Sequence, residues 1–105
     1  MADYVLLYGG GKMPESEEEQ AAVMKAWDEW FHQLGGSLKD GGNPFTPQSK
    51  SISSGGEVSD GAMGSASGYS IITADSLDEA VEKAKGSPVL QGGASITVYE
   101  TFAVM

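Results

Sequence analysis

With 105 residues the chain has room for one domain, 1–105, and one modest core, because a domain of this size buries roughly two-thirds of its unfolded surface. Six basic residues against fifteen acidic ones leave a formal charge of -9, which argues against DNA and RNA as partners. The absence of cysteine excludes disulfides, thiol catalysis and Cys-ligated metals, and the single His32 excludes a multi-histidine metal site within one chain. No apolar run approaches the ~20 residues of a membrane span, and the Met-Ala-Asp start lacks signal-peptide character. The expectation is a cytoplasmic protein with no membrane partner and no cofactor.

Tyr4-Val5-Leu6-Leu7-Tyr8 is continuously apolar and ends in Gly9-Gly10-Gly11, so it predicts a strand covered on both faces. Pro14, Ser16 and Glu19 announce a helix. Ser16 is placed to accept from the Glu19 amide and the Glu19 carboxylate to return the bond, while Glu15, Glu17, Glu18 and Glu19 suit the positive helix start. Val23, Trp27, Trp30 and Leu34, widened by Met24 and Phe31, form one helical stripe and predict its core face. Gly35-Gly36 ends the helix, and Ser37-Leu38-Lys39-Asp40 is a short candidate strand running into Gly41-Gly42-Asn43-Pro44.

From Gly41 to Gly68 the chain is rich in Gly and Ser, and a structureless loop of that length is unusual in so small a domain. Lys50 to Ser53 and Glu57 to Asp60, flanking Ser54-Gly55-Gly56, predict a hairpin insert. Gly68 to Ala74 predicts a strand. Ser76 and Glu79 repeat the capping-box spacing at a second helix with Leu77, Ala80, Val81 and Ala84 on its inner face, and Gly86 and Pro88 stop it. A last strand lies within Ala94 to Val104, with Ile96, Val98, Phe102 and Val104 on one side. Glu100 falls in that apolar register, which leaves either a bulge that turns it outward or a buried carboxylate.

Without the hairpin the order is βαββαβ, the ferredoxin-like α+β arrangement in which right-handed crossovers set both helices on one face of an antiparallel sheet. The other face is bare, yet Tyr4, Leu6 and Tyr8 on one side of the first strand and Val5 and Leu7 on the other are all apolar. An exposed apolar face of several hundred square ångströms is unusual on a monomer, so the chain is expected to pair with itself, sheet to sheet, as a homodimer.

Val58-Ser59-Asp60-Gly61-Ala62-Met63, Gly68 to Ala80 and Ser87-Pro88-Val89-Leu90 together resemble the YCII-related family, also called the DGPF-domain family; the Tyr4 to Gly10 strand and the Gly36 to Gly41 turn are similar too. The resemblance implies a dimeric α+β barrel. It also implies an enzymatic role for those members that pair a histidine with an aspartate in a cleft, by likeness to muconolactone isomerase. Only Asp60-Gly61 of the family's tetrapeptide stands here, Ala62 and Met63 taking the places of Pro and Phe. The family's pairing histidine sits where this chain has Met24 to Ala26, so His32 is not its equivalent.

His32 falls on the solvent side of the first helix with Lys25, Asp28 and Glu29. Gly9-Gly10-Gly11-Lys12 lacks the Walker spacing, since Met13 follows the lysine, and predicts a plain turn. Asp40 and Asp60, carboxylates at strand ends beside glycines, are the candidate catalytic residues, with Asp-Gly turn chemistry as the competing reading. Tyr8, Tyr69 and Tyr99 are candidate ligand-binding residues, each with an apolar ring and a hydroxyl donor, against a reading as core or dimer packing. Three functions follow from these groups. The first is binding of a small organic molecule in a cleft between helix, sheet and hairpin insert of a homodimer. The second is an isomerase-type proton transfer by a cleft Asp, and the third a non-catalytic interaction or regulatory domain.

Overall fold

A computed structural model describes residues 2–11, 15–62, 64 and 66–104. The elements, in chain order, are β1 (Ala2–Gly10), α1 (Glu17–Leu34), β2 (Leu38–Asp40), β3 (Lys50–Ile52), β4 (Val58–Asp60), β5 (Gly68–Ala74), α2 (Leu77–Ala84) and β6 (Ala94–Glu100). The main sheet is antiparallel in the order β2-β5-β1-β6, and β3 and β4 form a separate two-stranded hairpin. This is the ferredoxin-like α+β topology with a hairpin insert.

Strand alternation decides the two faces of the sheet. Tyr4, Leu6 and Tyr8 of β1 face the helices and are buried, joined by Ser70, Ile72 and Ala74 of β5. Trp30 and Leu34 of α1, and Ala80 and Ala84 of α2, close this core, with Trp27 and Phe31 packed against it. Tyr8 meets Trp27 edge to face at 5.7 Å between ring centroids, and Trp27 meets Trp30 in the same way at 5.5 Å. The indole NH of Trp30 donates to the Lys83 carbonyl at 3.1 Å, which fastens α1 to the end of α2. On the opposite face Val5, Leu7, Tyr69 and Ile71 are half-buried and Tyr99 is exposed; no described element covers them.

Several sequence-based expectations are corrected. Val23 and Met24 are exposed, not core: the described chain gives the first turns of α1 nothing to pack on, so the apolar stripe is used only from Trp27 onward. Leu77 and Val81 are likewise only partly covered, and Ala80 and Ala84 carry the inner face of α2. Ser16 and Ser76 do accept from the amides of Glu19 and Glu79, each at 3.1 Å. The reciprocal bonds go elsewhere, however: Glu19 accepts from the Glu15 amide at 2.9 Å, and Glu79 pairs with Lys83 at 2.9 Å. Ser37 belongs to a single helical turn before β2. β6 stops at Glu100, short of Phe102 and Val104, because the Thr101 amide already reaches the Asp3 carbonyl and β1 begins at Ala2. Glu100 neither sits on a bulge nor is buried. The β1–β6 register runs unbroken to the Tyr4–Glu100 pair, and the exposed carboxylate accepts the Tyr4 hydroxyl at 3.0 Å. Lys12, Met13, Pro14 and Met63 lie outside the described residues.

Candidate functional site

An open depression of about 550 Å³ lies on the helix-free face, at the end of the β1–β6 ladder. β1 supplies Leu7, Tyr8, Gly9 and Gly10 and β6 supplies Ser95, Thr97 and Tyr99, while Gly64 and Ala66, on the return from the hairpin insert, close one side. Cross-strand register sets the pattern: Val5 opposes Tyr99, Leu7 opposes Thr97 and Gly9 opposes Ser95. An apolar or bare row on β1 therefore runs beside a row of hydroxyls on β6. A planar molecule with an oily face and oxygen atoms at its edge is matched on both sides. The hydroxyl row was legible as period two in Ser95-Ile96-Thr97-Val98-Tyr99, but sequence reasoning followed the apolar side of that alternation and passed over Ser95 and Thr97. The cleft expected between helix, sheet and insert is corrected: sheet and insert line the depression, and no helix residue does.

Of the three candidate tyrosines, Tyr8 and Tyr99 both line the depression and Tyr69 does not, and the side chains of Tyr8 and Tyr99 leave the sheet on opposite faces. Tyr8 points into the helix-side core and donates to the Ser70 hydroxyl at 2.7 Å; Ser70 in turn donates to the Gly41 carbonyl at 2.8 Å. Burial pushes the Tyr8 pKa up, against the lowering effect of hydrogen bonding with Ser70 and Ser87. Tyr69, on the other face, stacks on Phe45 at 6.0 Å between centroids. Tyr99, 52% exposed on that same face, lines the depression.

Asp40 and Asp60 also sit apart, one at the end of β2 in the main sheet and one in the hairpin. The Asp40 carboxylate accepts from the Gly42 amide at 2.8 Å, the local turn bond that an Asp before glycines makes. Asp60 pairs with Lys50 at 3.3 Å, its side chain 92% exposed. Neither lines the depression. His32 is exposed and shares a shallow groove on the outer side of α1 with Lys25, Asp28 and Glu29. Among the described residues no cluster of His, Asp and Glu is placed to hold a metal ion, and no helix is long and apolar enough to cross a membrane.

No protein-family model matches the chain, and no curated protein does. A solved structure does. The chain is similar to a 5-chloro-2-hydroxyhydroquinone dehydrochlorinase from Burkholderia phenoliruptrix, in complex with 2,5-dihydroxybenzoquinone, with a TM-score of 0.56. The match covers 94% of this chain and 93% of that one at 16% sequence identity. The likeness is one of fold, and it agrees with the βαββαβ order read from the strands and helices.

Proposed function

We propose that the chain is a YCII-like homodimeric domain that binds a small, planar, oxygen-bearing ring molecule in the depression above Leu7, Thr97 and Tyr99. The observation that carries this reading is the helix-free sheet face. Val5, Leu7, Tyr69, Ile71 and Tyr99 form a contiguous apolar surface on an acidic chain that otherwise has ample polar residues to spend there. Two such faces meeting by a two-fold axis bury one another, and the depression at the Gly9 and Gly10 end becomes a closed pocket between them. The ring of Tyr99 offers a stacking surface, the hydroxyls of Ser95 and Thr97 offer donors and acceptors, and Leu7 offers the oily floor. The ligand in the fold neighbour's complex, 2,5-dihydroxybenzoquinone, is a planar ring with oxygen atoms at its edge. Asp40 and Asp60 take no part in this reading, each being engaged by a local partner outside the depression.

The test uses 2,5-dihydroxybenzoquinone as the probe, with cyclohexane carboxylate as an anionic, non-planar control, in thermal unfolding and calorimetry. A ligand at 100 times its dissociation constant adds ~2.7 kcal/mol, which raises Tm by several degrees in a domain of this size. The expected result is an upward shift that Tyr99→Ala abolishes while its circular dichroism stays that of the parent. No shift at millimolar probe, or a shift that survives Tyr99→Ala and Thr97→Val together, overturns the reading.

A further inference from the structure

We infer that the β3–β4 hairpin is an arm that crosses to a second copy of this chain and buries its Ile52 and Val58 there. This rests on the homodimer reading above and deepens it.

Among the described residues the hairpin has no host element on its own subunit. Its substantial packing is strand on strand within itself. All of its residues from Lys50 to Asp60 except Ser51 are exposed. Isolated two-stranded hairpins are at best marginally stable in water and need a further layer to hold them. The one apolar pair it owns, Ile52 opposite Val58, stands 66% and 61% exposed next to the Ser54-Gly55-Gly56 turn. Two oily side chains at the far end of an arm, with serines and charges along the rest of it, are placed for contact at the tip and for water along the shaft.

The base of the arm is continuous with the helix-free face. The Phe45 amide donates to the Ser67 carbonyl at 2.8 Å, the Ser67 amide donates to the Tyr8 carbonyl at 2.6 Å, and Pro44 bridges Gly68. Phe45 itself lies against Tyr69 on that face. The arm thus leaves the body where the proposed dimer contact is, and the molecule measures 43 × 40 × 18 Å, a thin slab with wide reach.

The arm also adds area to the sheet face. At ~4.8 Å between strands and about 3.3 Å per residue, the four strands present a face of about 400 Å² in projection. A stable interface takes about 800 Å² of accessible surface per partner, and Ile52 and Val58, both unpacked, enlarge what the sheet supplies toward it.

The chain has no cysteine, so a thiol placed at the tip is unique. Ser54→Cys, carrying a benzophenone maleimide, is irradiated at micromolar concentration and resolved by denaturing electrophoresis; the expected product is a covalent dimer. In parallel, Ile52→Asp with Val58→Asp is followed by sedimentation equilibrium and is expected to weaken dimerisation at least tenfold with the circular dichroism of the parent. A parent that sediments as a dimer, joined with a purely intrachain photoproduct or an unchanged dimer constant in the double variant, overturns the arm while leaving the sheet-to-sheet dimer standing. A parent that sediments as a monomer removes the dimer and the arm together.

Discussion

Gly42 shows how a single position sets the geometry of the main sheet. Its φ of +71° is a left-handed conformation that side chains rarely adopt, and a Cβ added there would land on the Tyr69 carbonyl. Gly42 therefore lets the chain after β2 fold close over β5, where the register slips between Leu38 and Asp40. Gly42→Ala combines backbone strain with a clash against main chain, and should cost at least about 2 kcal/mol in urea unfolding. Tyr4 gives the pH counterpart. Burial, the hydrogen bond to Glu100 and the nearby charges of Glu100, Glu79 and Asp75 raise its pKa above the ordinary 10.0. A raised folded-state pKa means the fold holds the phenol proton more tightly than the unfolded chain does. The resulting stabilisation is complete below pH 10 and is lost as pH rises through the raised value. Stability should fall on the alkaline side, and Tyr4→Phe should make that fall shallower, leaving the part due to Tyr8, whose pKa is raised as well; urea midpoints measured from neutral to strongly alkaline pH check this.

At the scale of elements, α1 is two helices in energetic terms. Its last turns are held by Trp30, 2% exposed with its indole NH bonded to the Lys83 carbonyl, and by Leu34. Its first turns rest on the Ser16 cap and on the complement of Glu17, Glu18 and Glu19 to the helix dipole, with Met24 left 69% exposed. Trp30→Ala should therefore cost ~3–5 kcal/mol and Met24→Ala less than ~0.5 kcal/mol in the same urea assay, although both residues belong to the one stripe read from the helical wheel. β6 makes a similar division. Ile96 and Val98 pack toward the core, whereas Ser95, Thr97 and Tyr99 look out over the depression.

For the whole molecule the governing fact is thickness. One sheet backed by one layer of helices gives a slab 18 Å deep, with every buried side chain on the helix side and an apolar sheet surface on the other. Ile71 lies in the middle of that surface, between Val5 on β1 and β2 at the sheet edge. A charge there is tolerated by the isolated slab and, in the proposed dimer, opposed by the partner, so on that proposal Ile71→Glu should leave the circular dichroism intact and lower the sedimentation mass to that of one chain.

The order of elements, both serine caps, the β5 span from Gly68 to Ala74 and the Ser54-Gly55-Gly56 hairpin were all legible from residues alone, because caps, turns and strand alternation are local: each depends on neighbours a few positions away. The same is true of His32, whose place on the outer side of α1 follows from helical angle. What the tertiary structure decided was which apolar groups have something to press against. Val23 and Met24 stay exposed, Phe102 runs past the start of β1, and the Tyr8 side chain parts from those of Tyr69 and Tyr99 because odd and even strand positions look to opposite layers. The placement of the depression belongs here too, since it needs two strands ninety residues apart and the return from the insert to meet at one corner, and no pattern within a single segment encodes a distance between segments.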